Sequence, residues 1–190
     1  MNKHISKYVK DFHNKKNIYS RALTFCHLII TMYCMKLIMD SDCLIKLTKA
    51  RLKELVCKNF DIFIPQTVKR EVIDNAAGYP DAEAIKENLE KGLVTLAKQK
   101  KTAVKGEDAV YEVFKEGPFD AICSDDKRFI KRLRFFDIPY ITPSVFIGIL
   151  IKKREITLKE AHKKLIALSL FISDDEYNAV KIILENWREQ

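Results

Sequence analysis

Four stretches of the chain put carboxylates where chemistry can use them. Asp40 follows the apolar run Lys36–Met39, and Glu71 lies beyond a second apolar run that Pro65 closes. Glu107 and Asp108 follow Gly106, and Asp125 and Asp126 come directly after the run at residues 119–123. Acids gathered at one place suit a hard divalent cation, because Mg²⁺ and Mn²⁺ prefer oxygen ligands and leave coordination positions for water and phosphate. Taken singly, each acid has a structural explanation. Asp40 and Asp126 suit helix N-caps, Glu107 and Asp108 suit the positive end of a helix, and Glu71, between Arg70 and Val72, suits a solvated face. The chemistry therefore depends on whether the intervening elements bring the four stretches together.

Apolar patterning predicts strands at residues 36–39, 60–64, 93–97, 119–123 and 139–141. Helices are predicted between them, over residues 43–57, 65–75, 81–91, 107–115, 127–135 and 145–151, and a pair of helices fills the tail at 157–189. Gly78, Pro80, Gly92, Gly117 and Pro118 punctuate the pattern. Strands alternating with helices call for an α/β fold. The expected architecture is a three-layer α/β/α sandwich with a mostly parallel central sheet, right-handed crossovers and a helical C-terminal tail. Ligands of such sheets bind beyond the carboxyl ends of the strands. All four acidic stretches fall on that edge, a coincidence that caps and solvated faces, taken one at a time, do not explain.

The ordered series resembles a known family. Met39-Asp40-Ser41-Asp42-Cys43-Leu44-Ile45, then Ile64-Pro65-Gln66-Thr67-Val68-Lys69-Arg70-Glu71-Val72, then Gly106-Glu107-Asp108-Ala109-Val110, then Ala121-Ile122-Cys123-Ser124-Asp125-Asp126-Lys127-Arg128-Phe129 resembles the PIN-domain ribonucleases over residues 35–150. Ile172-Ser173 followed by Tyr177 resembles the tail of a prokaryotic subgroup, and the chain as a whole looks like a VapC-like toxin nuclease or a related PIN protein. The resemblance implies a metal-dependent endoribonuclease that holds one or two Mg²⁺ or Mn²⁺ ions and leaves 5′-phosphate and 3′-hydroxyl ends. Carried over by position, Asp40, Glu71, Asp108 and Asp126 are the catalytic and metal-ligating acids, the last within a T/S-x-D-x-x-F pattern at Ser124 to Phe129. Glu107 is an alternative to Asp108, because some members use the glutamate of a Gly-Glu pair, and Asp125 is an alternative to Asp126. Ser41 and Ser124 are placed to hydrogen-bond the acids or a metal-bound water. The implied partners are RNA, an antitoxin protein and a second copy of the chain, and the implied location is the cytoplasm.

Composition fits one globular domain with an appendage: 47% of the 190 residues are apolar and 32% charged, with 5 Gly and 5 Pro. The net charge of +8 suits a polyanionic partner, but residues 1–34 carry six cations against Asp11 alone, so the body is only mildly basic. The expected organisation is a basic and apolar extension over 1–34 (a start codon chosen upstream, or a disordered arm), a nuclease domain over 35–150 and a helical extension packed on it over 151–190. Residues 22–39 look like a signal peptide but lack a small-residue cleavage site, and His27 and Lys36 interrupt them; no membrane role is expected. The five cysteines form no C-x-x-C pair, which fits a reduced protein without a zinc ribbon. The four histidines are scattered and show no ligand spacing.

Arg128, Lys131 and Arg132 fall at helical spacing after the fourth acid and suit a phosphate backbone, while Phe129, Leu133 and Phe136 are expected to face inward. Ser173 and Glu176 read as a capping box opening a helix whose inner stripe is Tyr177, Val180, Leu184 and Trp187. Two rival functions stand beside the nuclease. One is a PIN-like scaffold that grips RNA or protein without cutting. The other is a haloacid-dehalogenase-like phosphatase with Asp40 as nucleophile and Asp42 as acid, although Cys43-Leu44 departs from that family's usual small residue and Thr.

Overall fold

The computed structural model of the chain describes residues 35–98 and 106–187. Strand β1, Lys36–Met39, has only apolar residues after its first position, and Leu37, Ile38 and Met39 are fully buried, as a central parallel strand covered on both faces must be. It pairs in parallel with β2, Asp61–Ile64, on one side and with β4, Ala121–Cys123, on the other. β3, Val94–Leu96, and β5, Tyr140–Ile141, complete a five-stranded, all-parallel sheet in the order β3-β2-β1-β4-β5. The chain therefore has the three-layer α/β/α architecture expected of it. The sheet order reverses between β1 and β4, and at such a point the crevice for a ligand opens.

The helices depart from the sequence expectation in detail. Residues 43–57 form two helices, α1 (Ser41–Lys49) and α2 (Lys53–Asn59), because Arg51 takes a left-handed φ of 53°. The break turns Leu52 and Lys53 both inward; Lys53 is fully buried and its Nζ donates to the Ala84 carbonyl at 2.5 Å. After β2, α3 (Gln66–Lys69) runs without interruption into a π-helical stretch, Arg70–Asp74. Such stretches are rare and collect at functional positions, and this one carries Glu71. Helices α4 (Pro80–Glu90), α5 (Gly106–Glu116), α6 (Lys127–Phe135) and α7 (Val145–Lys152) follow, with Val145 through Ile151 entirely buried.

The tail is a helix pair, α8 (Leu158–Ser169) and α9 (Asp174–Glu185), packed on α7. A full capping box between Thr157 and Glu160 opens α8, from a T-x-x-E spacing that the sequence reading passed over. The box expected at Ser173 is only half formed. Ser173 Oγ accepts from the Glu176 backbone N–H at 3.4 Å, but the Glu176 carboxylate accepts instead from the Ser144 N–H at 2.9 Å, tying α9 to the start of α7. A buried neighbour with an unsatisfied N–H outcompetes a local cap. The expected inner stripe holds, with Val180 and Leu184 buried and Tyr177 and Trp187 packed on the core.

Phe129 and Leu133 of α6 are buried as expected, but Phe136 is not: it is 51% exposed, and Phe135 is 82% exposed. The helix stops at Phe135, and the left-handed Asp137 (φ 56°) swings the chain toward β5, so the periodicity that would carry Phe136 inward ends before reaching it. The described cysteines, Cys43, Cys57 and Cys123, are free and buried. No helix among the described residues is long and apolar enough to cross a membrane. The expectations for residues 1–34, which include Cys26, Cys34, His4, His13 and His27, lie outside the described residues. Central-strand packing carries the fold, so Ile38→Ala is expected to cost about 2–5 kcal/mol in urea denaturation; a loss under about 1 kcal/mol contradicts this placement of the core.

Candidate active site

β1 and β4 end side by side. Met39 is in register with Cys123, and the Asp40 N–H continues the ladder by donating to the Cys123 carbonyl at 3.1 Å, while the Ser124 N–H donates to the Ile141 carbonyl at 3.1 Å. Asp40 and Ser124 are thereby neighbours at the carboxyl edge, and the Ser124 hydroxyl hydrogen-bonds the Asp40 carboxyl. Asp40 also caps α1: its Oδ1 accepts from the Cys43 N–H at 2.8 Å. Asp126 does the same for α6, its Oδ1 accepting from Phe129 N–H at 2.6 Å. The capping explanation is thus correct for both acids, and it also fixes each carboxylate in place with its second oxygen uncommitted to the cap.

Glu71 arrives from the opposite side. The Ser41 hydroxyl donates to Glu71 Oε2, which joins the π-helical stretch to the residue after Asp40. Gly106 lies against the same carboxylate, since a Cβ there would sit 3.0 Å from both Glu71 oxygens. Glycine at the start of α5 therefore lets Glu71 approach. The next two residues part company. Asp108 forms an ion pair with Arg132 of α6, whose guanidinium lies 4.4 Å from the Tyr111 ring centroid. Glu107 has its pKa raised by partial burial and then by the charges of Asp126 and Asp108, with Asp42 adding to them and Arg132 opposing. Glu107 thus feels the charge of the fourth acid, Asp126.

Asp125 and Asp126 also separate. Lys46 of α1 reaches across to Asp125 at 2.7 Å in a largely buried pair; burial works against the lysine charge, but the bond and charge of Asp125 outweigh it and hold its pKa above the ordinary value. Asp125 is occupied by a cation of the chain itself, whereas Asp126 has no ion pair among the described residues. The structure thus brings Asp40, Ser41, Glu71, Glu107, Ser124 and Asp126 to one edge, with Asp108 turned to Arg132 and Asp125 to Lys46. Sequence reading missed Lys46, for which a lysine six residues after Asp40 in an amphipathic helix gives no distinguishing signal. Arg132, expected to meet substrate, is engaged by Asp108, whereas Lys127, Arg128 and Lys131 are exposed and paired with no described residue.

A family model described as a PIN domain matches residues 36–186. The chain belongs to the PIN domain family. That match runs through the helical tail as well as the sheet, and it bears out the family and the fold read from the ordered acidic stretches. The PIN fold is a nuclease-type fold; PIN domains are generally hydrolases acting on RNA and typically use divalent metals. No curated protein matched the chain. Membership sets aside the phosphatase reading, and the exposed Asp42 in the first turn of α1 agrees with that.

Burial dominates the electrostatics of this PIN site. The Asp40 carboxyl is pushed up from 3.8 to about 7, because desolvation outweighs the bonds from Ser124 and Cys43 and the charge of Asp125 adds to it. The folded chain then holds a proton that the unfolded chain has released across that interval, so folding stability falls as pH rises from about 4 to about 7. Asp40→Asn keeps a good N-cap and removes the ionisation. In chelator, thermal melts at pH about 5 and about 8 should show a smaller loss of stability for the variant than for the parent chain. Equal losses in both proteins contradict the burial of an ionisable Asp40.

Proposed function

We propose that this PIN protein is an Mg²⁺- or Mn²⁺-dependent endoribonuclease whose acids are Asp40, Glu71, Glu107 and Asp126, with Asp108 the alternative third acid and Asp125 the alternative fourth. The observation that carries the reading is the meeting of Asp40, the Ser41-bound Glu71, Gly106-Glu107 and Asp126 at the carboxyl edge where β1 and β4 end. The donor set fits a hard divalent ion, being all oxygen, and the pKa values of Asp40 and Glu107 are raised first by burial, with the charges of neighbouring acids adding to it. Among the described residues no three of these side chains lie close enough to hold an ion as they stand; Asp108 and Asp125 are drawn off by Arg132 and Lys46. When bound, a divalent ion supplies a water of lowered pKa and positive charge for the phosphate oxygens.

The chain's own residues do the rest of the work. The α1 and α6 caps hold Asp40 and Asp126 rigid, Ser41 orients Glu71, Ser124 orients Asp40, and Lys46 pairs with Asp125. Arg128 and Lys131 draw the phosphate backbone toward the acids. A toxin role, an antitoxin protein and a second copy as partners, and a cytoplasmic location rest on the family resemblance alone, as does the division into a nuclease domain over 35–150 with a tail over 151–190.

Cleavage of a mixed RNA pool with Mn²⁺, against EDTA and against Asp40→Asn, tests the central reading. Cutting lost in both controls supports it; RNA binding by a folded protein that never cuts supports the scaffold. The third acid is tested by Glu107→Gln and Asp108→Asn: the first should lower cleavage at least about ten-fold more than the second, and the reverse order makes Asp108 the ligand. Arg128→Ala with Lys131→Ala should weaken binding on every sequence alike and lower the slope of log affinity against log salt by about one for each phosphate no longer neutralised. An unchanged slope removes α6 from the RNA-binding surface.

A further inference from the structure

Two exposed aromatic rings of the described chain sit together at the end of α6. Phe135 and Phe136 stack edge to face with centroids 5.0 Å apart, 82% and 51% exposed, and Phe136 lies 5.8 Å from Tyr111 of α5. Tyr111 in turn lies under Arg132 at 4.4 Å and Lys115 at 5.3 Å, and Arg132 is bonded to Asp108. An unbroken line of contacts therefore runs from the acidic edge down the seam between α5 and α6 to the phenylalanine pair. Phe135 is the ninth residue of α6 after the N-cap Asp126, roughly 13 Å along the helix, which a few nucleotides of extended strand would cover. Lys127, Arg128 and Lys131 flank the line without ion-pair partners among the described residues.

We propose that the α5–α6 seam is a single-strand track, in which Phe135 and Phe136 stack on unpaired bases of RNA while the flanking cations hold its phosphates. Positive charge tracking a backbone beside aromatic faces is the physical pattern of sequence-tolerant single-strand binding. Bases inside a duplex have no free face to offer, so the track selects unpaired RNA. A purely apolar contact with a second copy of the chain would leave Lys127, Arg128 and Lys131, with the same charge on both sides, facing one another; a polyanion removes that repulsion. The proposal deepens the nuclease reading, on which it rests only for the direction in which the strand enters the acids.

The test is fluorescence anisotropy of the full chain in EDTA with a labelled eight-nucleotide oligo(A) RNA and with an abasic strand of the same length. Phe135→Ala with Phe136→Ala should weaken binding to oligo(A) about ten-fold, Phe135→Tyr with Phe136→Tyr should restore it, and the abasic strand should bind the parent chain and the alanine variant equally weakly. Oligo(A) binding unchanged in the alanine variant overturns the track, as does an abasic strand bound as tightly as oligo(A). A dimer that dissociates in the alanine variant, by sedimentation, with RNA affinity unchanged, overturns it in favour of a contact between copies. Phe-dependent binding without metal-dependent cleavage sinks the nuclease reading and leaves the track standing; cleavage insensitive to both phenylalanines does the converse.

Discussion

Burying Asp40 is the constraint on which the rest of the structure depends. A carboxylate at the end of a central strand loses its water, and the cost appears as a pKa near neutrality. Apolar packing of β1, whose last three residues are fully buried, must offset that cost, and two devices limit it. The α1 N-terminus gives Asp40 a backbone donor and the positive end of a helix, and Ser124 adds a hydroxyl. What these leave is a carboxyl whose charge is still penalised by burial at the sheet edge, an oxygen donor of the kind a hard divalent cation prefers.

The same helix-end physics serves structure and chemistry together. Asp40 and Asp126 are both N-caps, and the two strands that deliver them are adjacent in the sheet, so capping two helices brings two acids to one place. Glu71 and Glu107 come from connections on the other side, tied in by Ser41 and by the open Cα face of Gly106. The chain's own cations engage one of each doubled pair of acids: Lys46 pairs with Asp125 and Arg132 with Asp108.

Much of this was legible in the sequence because parallel sheets follow strong local rules. Apolar runs such as Lys36–Met39, broken by helical spacing, pointed to the strand positions and to a mostly parallel sheet, which is all-parallel, and the family match bears out the resemblance read from the acidic series. Misses fell where tertiary contacts overrule local pattern. The left-handed Arg51 split one expected helix, Ser144 captured the Glu176 carboxylate from its own cap, and the stop after Phe135 left Phe136 in solvent. The pairings of Lys46 and Arg132 could not be read from spacing, since each joins residues 79 or 24 positions apart. For the same reason the sequence left Glu107 against Asp108 open; the ion pair of Asp108 with Arg132 is what supports proposing Glu107.

Anomalous diffraction from crystals of the full chain soaked in Mn²⁺ tests the central claim most directly. A manganese peak is expected within coordination distance of Asp40 and Asp126, with Glu71 or Glu107 approaching through oxygen or water. A chain that cleaves RNA with manganese bound only elsewhere, or with the carboxyl edge of β1 and β4 free of metal at saturating Mn²⁺, contradicts that claim.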